Sequence, residues 1–410
     1  MQKFSVPLQS CFGLQYQSTH PLLFKRSLKA LPVAVTADRL DLNTRITLLC
    51  DLCLECDNFF SWQFPPFKIK SSQPDSTKTW PRKLPPFNFQ LLMGQTQYNK
   101  ILVYLTHPHV DAWNFKPEHK ALLQSHFPET AVQVCVNSKE FKDKLPEADA
   151  VIVWVFKEGW LENAPKLKLI ATPAAGNDWI PWQPPESLKL SFGGFHGPMM
   201  AESVIGAMLH FLKAFPLSMK MQGKKKWARI KISKKQQSLY KARVTILGFG
   251  KIGNDLGRLL KPFGCQITGI KRTEIAMPNY FDKEDEILTH DKWESALSET
   301  DHLICTLPGG SETYEILKSI HFKNMRKTSF FYNVGRGNIY KESDLVEALQ
   351  GGEITGAYLD VFGKEPLSEF SRLWGLGNVL IQPHTSAASP QYLELFVEEL
   401  VRRVREGEFS

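Results

Sequence analysis

Residues 1–98 differ from the rest of the chain in their pattern of hydrophobic and polar positions. Prolines interrupt this stretch repeatedly, at Pro65-Pro66, Pro81 and Pro85-Pro86, and neither a helical nor a strand period persists. From Lys100 onward, short apolar runs alternate with segments of helical period. The pattern therefore predicts an extension over residues 1–98, disordered or used for targeting, in front of a folded body.

The first part of the body is predicted to be strands that alternate with helices. Apolar runs of strand length cover residues 100–105, 131–136, 150–156 and 167–171, and a helix is predicted around residues 117–127. Nearly continuous Val, Ile and Leu runs are typical of parallel strands buried on both faces. This spacing predicts parallel βαβ units.

A long apolar helix is predicted at residues 200–215. Its apolar residues recur at i, i+3, i+4 and i+7, and its wide apolar face indicates burial between domains. A basic stretch at 220–241 is predicted to be irregular, and a second strand–helix series begins at Arg243. We predict one domain over residues 99–198 with 386–410, which include a returning helix, and a second over 199–385.

The formal net charge of +8 arises mostly in the extension. Residues 1–98 hold 11 Lys and Arg against 6 Asp and Glu, whereas the rest of the chain holds 39 against 36. A nearly balanced body predicts no nucleic-acid partner. Since no run of about 18 apolar residues occurs, no membrane partner is predicted either.

The seven cysteines lack the spacing of a disulfide framework, which favours a reducing compartment such as the cytoplasm. Cys50, Cys53 and Cys56 form a CxxCxxC triplet, but no fourth ligand for a closed zinc site lies near, so no metal is predicted.

The first 37 residues contain no Asp or Glu, which loosely matches a transit peptide. Three interpretations of residues 1–98 stay open: a transit peptide for mitochondrion or plastid, a disordered extension, and a translation start assigned upstream of the true one.

A glycine-rich turn after the apolar strand at Arg243 predicts dinucleotide binding. Gly248 permits the tight turn, Gly250 lets the backbone approach a pyrophosphate, and Gly253 lets helix and strand pack closely. The pyrophosphate would lie at the N-terminus of the helix, next to Lys251 and Ile252.

The end of the following strand predicts the choice of cofactor. An NAD site usually places Asp or Glu there to accept from the ribose 2′-hydroxyl. This chain instead has Lys271, Arg272 and Thr273, and Glu274 follows one position too late. Two cations and a hydroxyl favour a 2′-phosphate, so the predicted cofactor is NADP(H).

Five further motifs follow, at Cys305-Thr-Leu-Pro308, Asn333-Val-Gly-Arg336-Gly337, Gly356-Ala-Tyr-Leu-Asp360-Val-Phe362, Lys364-Glu365-Pro366 and Gln382-Pro383-His384. Their order and spacing resemble the D-isomer-specific 2-hydroxyacid dehydrogenases over about residues 99–410. The Lys-Arg-Thr ending looks most like the NADP-dependent glyoxylate/hydroxypyruvate reductase type.

The resemblance implies three catalytic residues whose chemistry suits the reduction of a 2-oxo acid. Arg336 offers a fixed fork to the carboxylate and the polarised carbonyl. His384 gives a proton during reduction and takes one during oxidation. Glu365 orients the imidazole and raises its pKa.

The resemblance also implies the remaining contacts. Cofactor contacts beyond the glycine turn are expected from Leu307, Pro308, Val334, Gly335 and Asp360. Substrate contacts are expected from Arg336 and from loop amides at Ala175 and Gly176, with residues 156–159 as a second candidate loop. Asn177, Asp178 and Trp179 depart from the commoner family pattern, and Lys157 could add a cation for a larger acid.

The resemblance implies an α/β fold of two Rossmann-like domains, a flavodoxin-like substrate domain and a dinucleotide-binding domain, with a cleft between them. It also implies a homodimer that acts on a small 2-oxo or 2-hydroxy acid. Two alternatives stay open: a non-catalytic NAD(P)-sensing partner protein on the same fold, and a formate- or phosphonate-type dehydrogenase. Because formate enzymes pair their histidine with Gln, Glu365 disfavours the formate alternative.

Overall fold

The computed structural model describes residues 98–409, and the predictions for residues 1–97, including the cysteine triplet and targeting, lie outside them. The described residues form two parallel β-sheets with helices on their faces. This architecture confirms the predicted α/β fold class. Among the described helices, none combines the length and the apolar character that a membrane crossing needs.

The first sheet contains five parallel strands, and the runs predicted in this region all form strands. They are β1 (Lys100–Tyr104), β2 (Ala131–Val134), β3 (Ala150–Val153), β4 (Leu169–Thr172) and β5 (Lys189–Phe192). Their order is β2-β1-β3-β4-β5. Every residue of β3 and β4 is buried, as expected for Val/Ile/Leu runs covered on both faces.

The second sheet contains seven parallel strands. They are β6 (Arg243–Leu247), β7 (Gln266–Lys271), β8 (Glu286–Thr289), β9 (His302–Cys305), β10 (Phe330–Asn333), β11 (Gly356–Leu359) and β12 (Val379–Ile381). In the order β12-β11-β10-β9-β6-β7-β8, the direction of winding reverses between β6 and β9. Ligands of open parallel sheets bind beyond the carboxyl ends of the strands at such a reversal.

The helices cover both faces of each sheet. They are α1 (Pro117–His126), α2 (Ser138–Lys144), α3 (Gly197–Leu212), α4 (Phe215–Gly223), α5 (Arg229–Ser233), α6 (Lys251–Leu260), α7 (Trp293–Ala296), α8 (Ser319–Asn324), α9 (Glu342–Gly351) and α10 (Tyr392–Arg405). Helix α3 shares a core with α6 and the second sheet. Helix α10 returns to the core of the first sheet through Leu393, Phe396 and Val397. The domain limits at 99, 198 and 386 stay predictions.

The predicted long helix forms over Gly197–Leu212, but its predicted end and the prediction for residues 220–241 were wrong. The long helix ends at Leu212, because Pro216 has no N–H for the Leu212 carbonyl, which instead accepts from the Gln237 N–H at 2.8 Å. The stretch predicted to be irregular contains the end of α4 and all of α5. Pro216 suits the first turn of α4, and lysines are good helix formers.

Candidate active site

A cavity of about 370 Å³ lies between the two sheets, where the carboxyl ends of their strands face each other. From the first sheet it is lined by residues that follow β1, β3 and β4, namely Thr106, His107, Trp154, Ala174, Ala175 and Gly176. From the second sheet it is lined by residues that follow β9, β10, β11 and β12, namely Thr306, Leu307, Pro308, Val334, Gly335, Arg336, Asp360 and His384.

His384 and Glu365 form a hydrogen-bonded pair at this cavity, with 2.8 Å between Nδ1 and Oε2. The hydrogen bond to Glu365 raises the pKa of His384, and the partial burial of the ring, which acts in the opposite direction, is the weaker effect. Burial would raise the pKa of Glu365, but hydrogen bonds from His384 and from the Phe362 N–H outweigh it and lower that pKa. Both shifts favour a charged pair, in which the imidazole stays protonated at pH values above the ordinary pKa of histidine.

Asp360 holds the backbone that carries His384. Its carboxylate is almost fully buried and accepts from the Thr385 N–H at 2.7 Å and from the Ser386 N–H at 3.1 Å. The Asp360 carbonyl also accepts from the His384 N–H at 2.8 Å. His384 has a φ of 55°, a left-handed conformation that is uncommon for histidine. These three bonds stabilise it, so Asp360 positions the imidazole in addition to lining the cavity.

Arg336 lies on a tight turn at the end of β10. Asn333 builds this turn, because its side chain donates to the Arg336 carbonyl at 2.9 Å and accepts from the Gly335 N–H at 3.1 Å. The guanidinium group donates from Nη1 to the Gly335 carbonyl at 2.9 Å. From Nη2 it donates to the Asp178 carboxylate at 3.0 Å. Asp178 belongs to the first lobe, the part of the structure built on the five-stranded sheet, and Arg336 to the second lobe, built on the seven-stranded sheet. The turn thus fixes the guanidinium at the mouth of the cavity, where it can bind a carboxylate.

The glycine turn has the shape that a dinucleotide requires. Gly248 has a φ of 103°, which side chains rarely adopt, and a Cβ there would press on the loop after β9. A Cβ on Gly253 would lie 2.6 Å from the Gly248 carbonyl oxygen, so helix α6 packs closely on the strand. A Cβ on Gly250 would meet nothing within 4 Å, which leaves open space beside the N-terminus of α6. These residues fit a pyrophosphate.

The residues predicted to bind a 2′-phosphate lie at the protein surface, at the end of β7. Arg272 has 77% of its side chain exposed and pairs with Glu312, at 2.8 Å between Nη1 and Oε2. Thr273 is exposed and Lys271 is partly buried. A 2′-phosphate bound here would compete with the Glu312 carboxylate for Arg272.

The structure brings many of the predicted site residues to one cavity. It is lined by Ile252, Leu307, Pro308, Val334, Gly335, Asp360, Arg336, His384, Ala175 and Gly176. An adjoining space of about 800 Å³, the vestibule, is lined by Glu365 together with Asp178, Arg336 and His384. Gly248, Gly250, Lys251 and Gly253 form the turn next to it, and Lys251 pairs with Glu399 at 2.8 Å. Residues 156–159, including Lys157, line neither space.

Several residues at the cavity were not predicted from the sequence. Trp113, Trp154 and Tyr392 line it, and their rings contact one another, with centroids about 6 Å apart. Trp154 directly follows strand β3. Its position at the carboxyl end of a parallel strand was a signal that could have identified it.

Comparison with known proteins identifies one family. Residues 205–386 match the family model described as D-isomer specific 2-hydroxyacid dehydrogenase, NAD binding domain. The chain is 32% identical over 216 residues to an uncharacterized protein of Corynebacterium melassecola, a match that covers 52% of this chain and 68% of that protein. It is 28% identical to glyoxylate/hydroxypyruvate reductase A of Photorhabdus laumondii, with 64% of this chain and 85% of the relative covered.

A solved structure has a similar fold over most of its length. The NADPH-dependent glyoxylate/hydroxypyruvate reductase of Sinorhizobium meliloti, in complex with NADP and sulfate, superimposes with a TM-score of 0.62 at 27% identity. The match covers 75% of this chain and 96% of that one.

Proposed function

The chain belongs to the D-isomer specific 2-hydroxyacid dehydrogenase family, and we propose that it is a reductase of the glyoxylate/hydroxypyruvate type that prefers NADPH. As a member of the family it is an oxidoreductase that uses NAD or NADP and acts on small 2-oxo or 2-hydroxy acids. The preference for NADP, the type of substrate and the roles of individual residues are the proposal.

One observation carries the proposal: the Glu365–His384 pair lies at the same cavity as the guanidinium of Arg336. An acid–base group, a residue that orients it and a fixed cation are what the reduction of a 2-oxo acid needs. Arg336 binds the substrate carboxylate, aided by the amides of Ala175 and Gly176. Glu365 keeps Nδ1 of His384 engaged, so that Nε2 is the nitrogen that exchanges the proton.

NADPH, when bound, supplies the hydride that is added to the carbonyl carbon. His384 then gives its proton to the carbonyl oxygen, and Arg336 stabilises the negative charge that develops there. The product is the 2-hydroxy acid, and His384 is left neutral until it regains a proton from solvent. In the reverse direction, neutral His384 takes the hydroxyl proton.

Three groups of residues would hold three parts of the cofactor. The turn of Gly248, Gly250 and Gly253 and the N-terminus of α6 would hold the pyrophosphate, with Lys251 and Ile252 beside it. Leu307, Pro308, Val334, Gly335 and Asp360 would line the nicotinamide end. Lys271, Arg272 and Thr273 would bind the 2′-phosphate, because two cations and a hydroxyl complement its charge.

We also propose a cytoplasmic homodimer, with α3 at or near the interface. Support comes from exposed apolar side chains in the segment after α3, since Met219, Trp227 and Ile230 are each more than 65% exposed. Light scattering coupled to gel filtration tests this, with a mass of about twice 46.7 kDa expected. A mass of one chain at micromolar concentration would contradict it.

The proposed activity is tested by the oxidation of NADPH and NADH with glyoxylate, hydroxypyruvate, pyruvate and bulkier 2-oxo acids. We expect the highest kcat/KM with glyoxylate or hydroxypyruvate and NADPH. A parallel assay of NADP reduction by formate and by phosphite, the form of phosphonate that carries a P–H bond, covers the formate- and phosphonate-type alternatives. Tight NADPH binding without turnover of any acid would instead favour the NAD(P)-sensing alternative.

A further inference from the structure

Asp178, an acidic residue of the first lobe, forms an ion pair with the guanidinium group of Arg336. Asp178 lies in a short 3-10 turn, Asn177–Trp179, that follows strand β4. Its carboxylate oxygens lie 3.0 Å from Nη2 and 3.4 Å from Nε of Arg336. Nη2 and Nε form one edge of the guanidinium, the edge that binds a planar carboxylate through two parallel N–H groups.

Gly176 leaves the room that this contact needs. A Cβ on Gly176 would lie 2.0 Å from Oδ1 of Asp178 and 2.3 Å from Nη2 of Arg336. The ion pair therefore rests directly on the loop whose amides are expected to bind substrate. The Asp178 carboxylate thus occupies the place where a substrate carboxylate would meet Arg336.

The contact is one that a ligand can displace. The side chain of Asp178 is 60% exposed, whereas that of Arg336 is 25% exposed. Exposed ion pairs contribute little to stability, and a released Asp178 carboxylate can be solvated by water. A substrate carboxylate can therefore compete with Asp178, because both groups bind the same edge of the guanidinium.

The charges around the site disfavour a second negative group on the ligand. Among the described residues that line the cavity and the vestibule, Arg336 is the only arginine or lysine. The vestibule also contains the carboxylates of Asp178 and Glu365, and the charge of Glu365 is balanced by its partner His384, which leaves Asp178 as the negative charge that a ligand would meet. A second carboxylate on the substrate would meet no further lysine or arginine, and it would lie near the displaced Asp178.

We infer that Asp178 is a specificity-determining residue, which competes with the substrate carboxylate for Arg336 and excludes 2-oxo acids that carry a second carboxylate. The inference rests on the proposed function and narrows its substrate class to 2-oxo monocarboxylic acids. It assigns a role to a position at which the chain departs from the commoner family pattern.

The test compares the full-length enzyme with Asp178→Asn, which keeps the shape of the side chain and removes its charge. We expect the KM for pyruvate and glyoxylate to fall about three- to tenfold, with kcat within about twofold. The kcat/KM ratio of 2-oxoglutarate to 2-oxohexanoate, two acids of similar size, should rise at least about tenfold. Asp143→Asn, an exposed aspartate on α2, is the matched control and should change neither quantity.

A different result would overturn the inference. If Asp178 only orients Arg336, the substitution should raise the KM of every acid and leave the ratio of the two acids unchanged. An unchanged ratio, whatever the KM values, removes Asp178 as the source of charge selectivity.

Calorimetric titration with oxamate and oxalate, in the presence of NADPH, separates this inference from the proposed function. Oxamate carries one carboxylate and oxalate carries two, and neither needs to be turned over. Asp178→Asn should tighten oxalate binding at least about threefold more than oxamate binding, even if no 2-oxo acid proves to be a substrate. Equal changes for the two ligands would refute the role of Asp178 on binding evidence alone.

Discussion

The two ends of the proposed cofactor site are constructed differently. At the catalytic end, His384 is held by Glu365 through its ring and by Asp360 through its backbone, and Asp360 is buried. At the end of β7, Arg272 is exposed and makes one exposed ion pair, with Glu312. Groups held by several bonds in a partly buried site keep their geometry, whereas exposed charges are screened by salt and solvent. We therefore expect single substitutions at the catalytic end to lower turnover strongly. Single substitutions at the end of β7 should change the preference for NADPH by small amounts.

The largest effect is expected for His384→Asn. Asn tolerates the left-handed backbone at this position better than Ala, so the variant isolates the loss of the imidazole. We expect kcat to fall at least about a hundredfold, the usual scale for lost acid–base catalysis. Stopped-flow or steady-state oxidation of NADPH measures it. His290→Asn, at an exposed turn, is the control, and near-normal turnover of His384→Asn would contradict the assignment.

The second effect concerns the pH dependence of Glu365→Gln. The hydrogen bond to Glu365 raises the pKa of His384, so the proton donor of the reduction persists above the ordinary histidine pKa of about 6.5. Reductive kcat/KM should therefore hold at neutral pH and fall only as the pH passes that raised value. In Glu365→Gln the fall should occur at lower pH, with a loss of about tenfold near pH 8.

The reverse reaction provides an internal check. Oxidation of a 2-hydroxy acid needs neutral His384, so its rate should rise with pH through the same pKa, and the rise should also move to lower pH in Glu365→Gln. Unchanged pH profiles in both directions would show that Glu365 does not control the imidazole.

Much of the catalytic end could be predicted from the sequence, because its parts are local. Buried strands appear as Val/Ile/Leu runs, the glycine turn follows its strand directly, and Arg336, Glu365 and His384 lie in short motifs whose order and spacing resemble those of the family. The bonds of Asp360 to Thr385 and Ser386 could not be predicted, because they depend on the packing of a neighbouring strand. The Asp178–Arg336 pair joins residues 158 positions apart in different lobes, and no local pattern encodes it.

The end of the first long helix shows a similar limit. Apolar periodicity continues through Phe215, but the helix stops at Leu212 because Pro216 cannot donate and Gln237 supplies the missing N–H. Periodicity describes which face is buried. It does not indicate which distant residue can replace a hydrogen bond, and this limited the prediction of where the helix ends.

At the end of β7, where the 2′-phosphate is proposed to bind, Lys271→Asp combined with Arg272→Ser should reverse the choice of cofactor. We expect the unmodified enzyme to favour NADPH over NADH in kcat/KM by at least about tenfold, or about 1.4 kcal/mol. The double variant should lose most of its NADPH activity and keep its NADH activity within about threefold. Lys166→Asp with Lys168→Ser changes the net charge equally in the first lobe and should leave the ratio unchanged. Equal efficiency with both cofactors in the unmodified enzyme would refute the 2′-phosphate site.

The smallest effect is expected for Glu312→Gln. Because Glu312 pairs with Arg272, removing its charge should free that guanidinium for the 2′-phosphate. An exposed ion pair contributes about 0–1 kcal/mol, so the KM for NADPH should fall by only about two- to threefold, and the KM for NADH should not change. The difference from the unmodified enzyme should shrink as salt rises from about 0.05 to 0.5 M, because ions screen exposed charges. Glu347→Gln, exposed on α9, is the matched control. If Glu312→Gln leaves the KM for NADPH unchanged at low salt, Glu312 does not compete with the 2′-phosphate for Arg272.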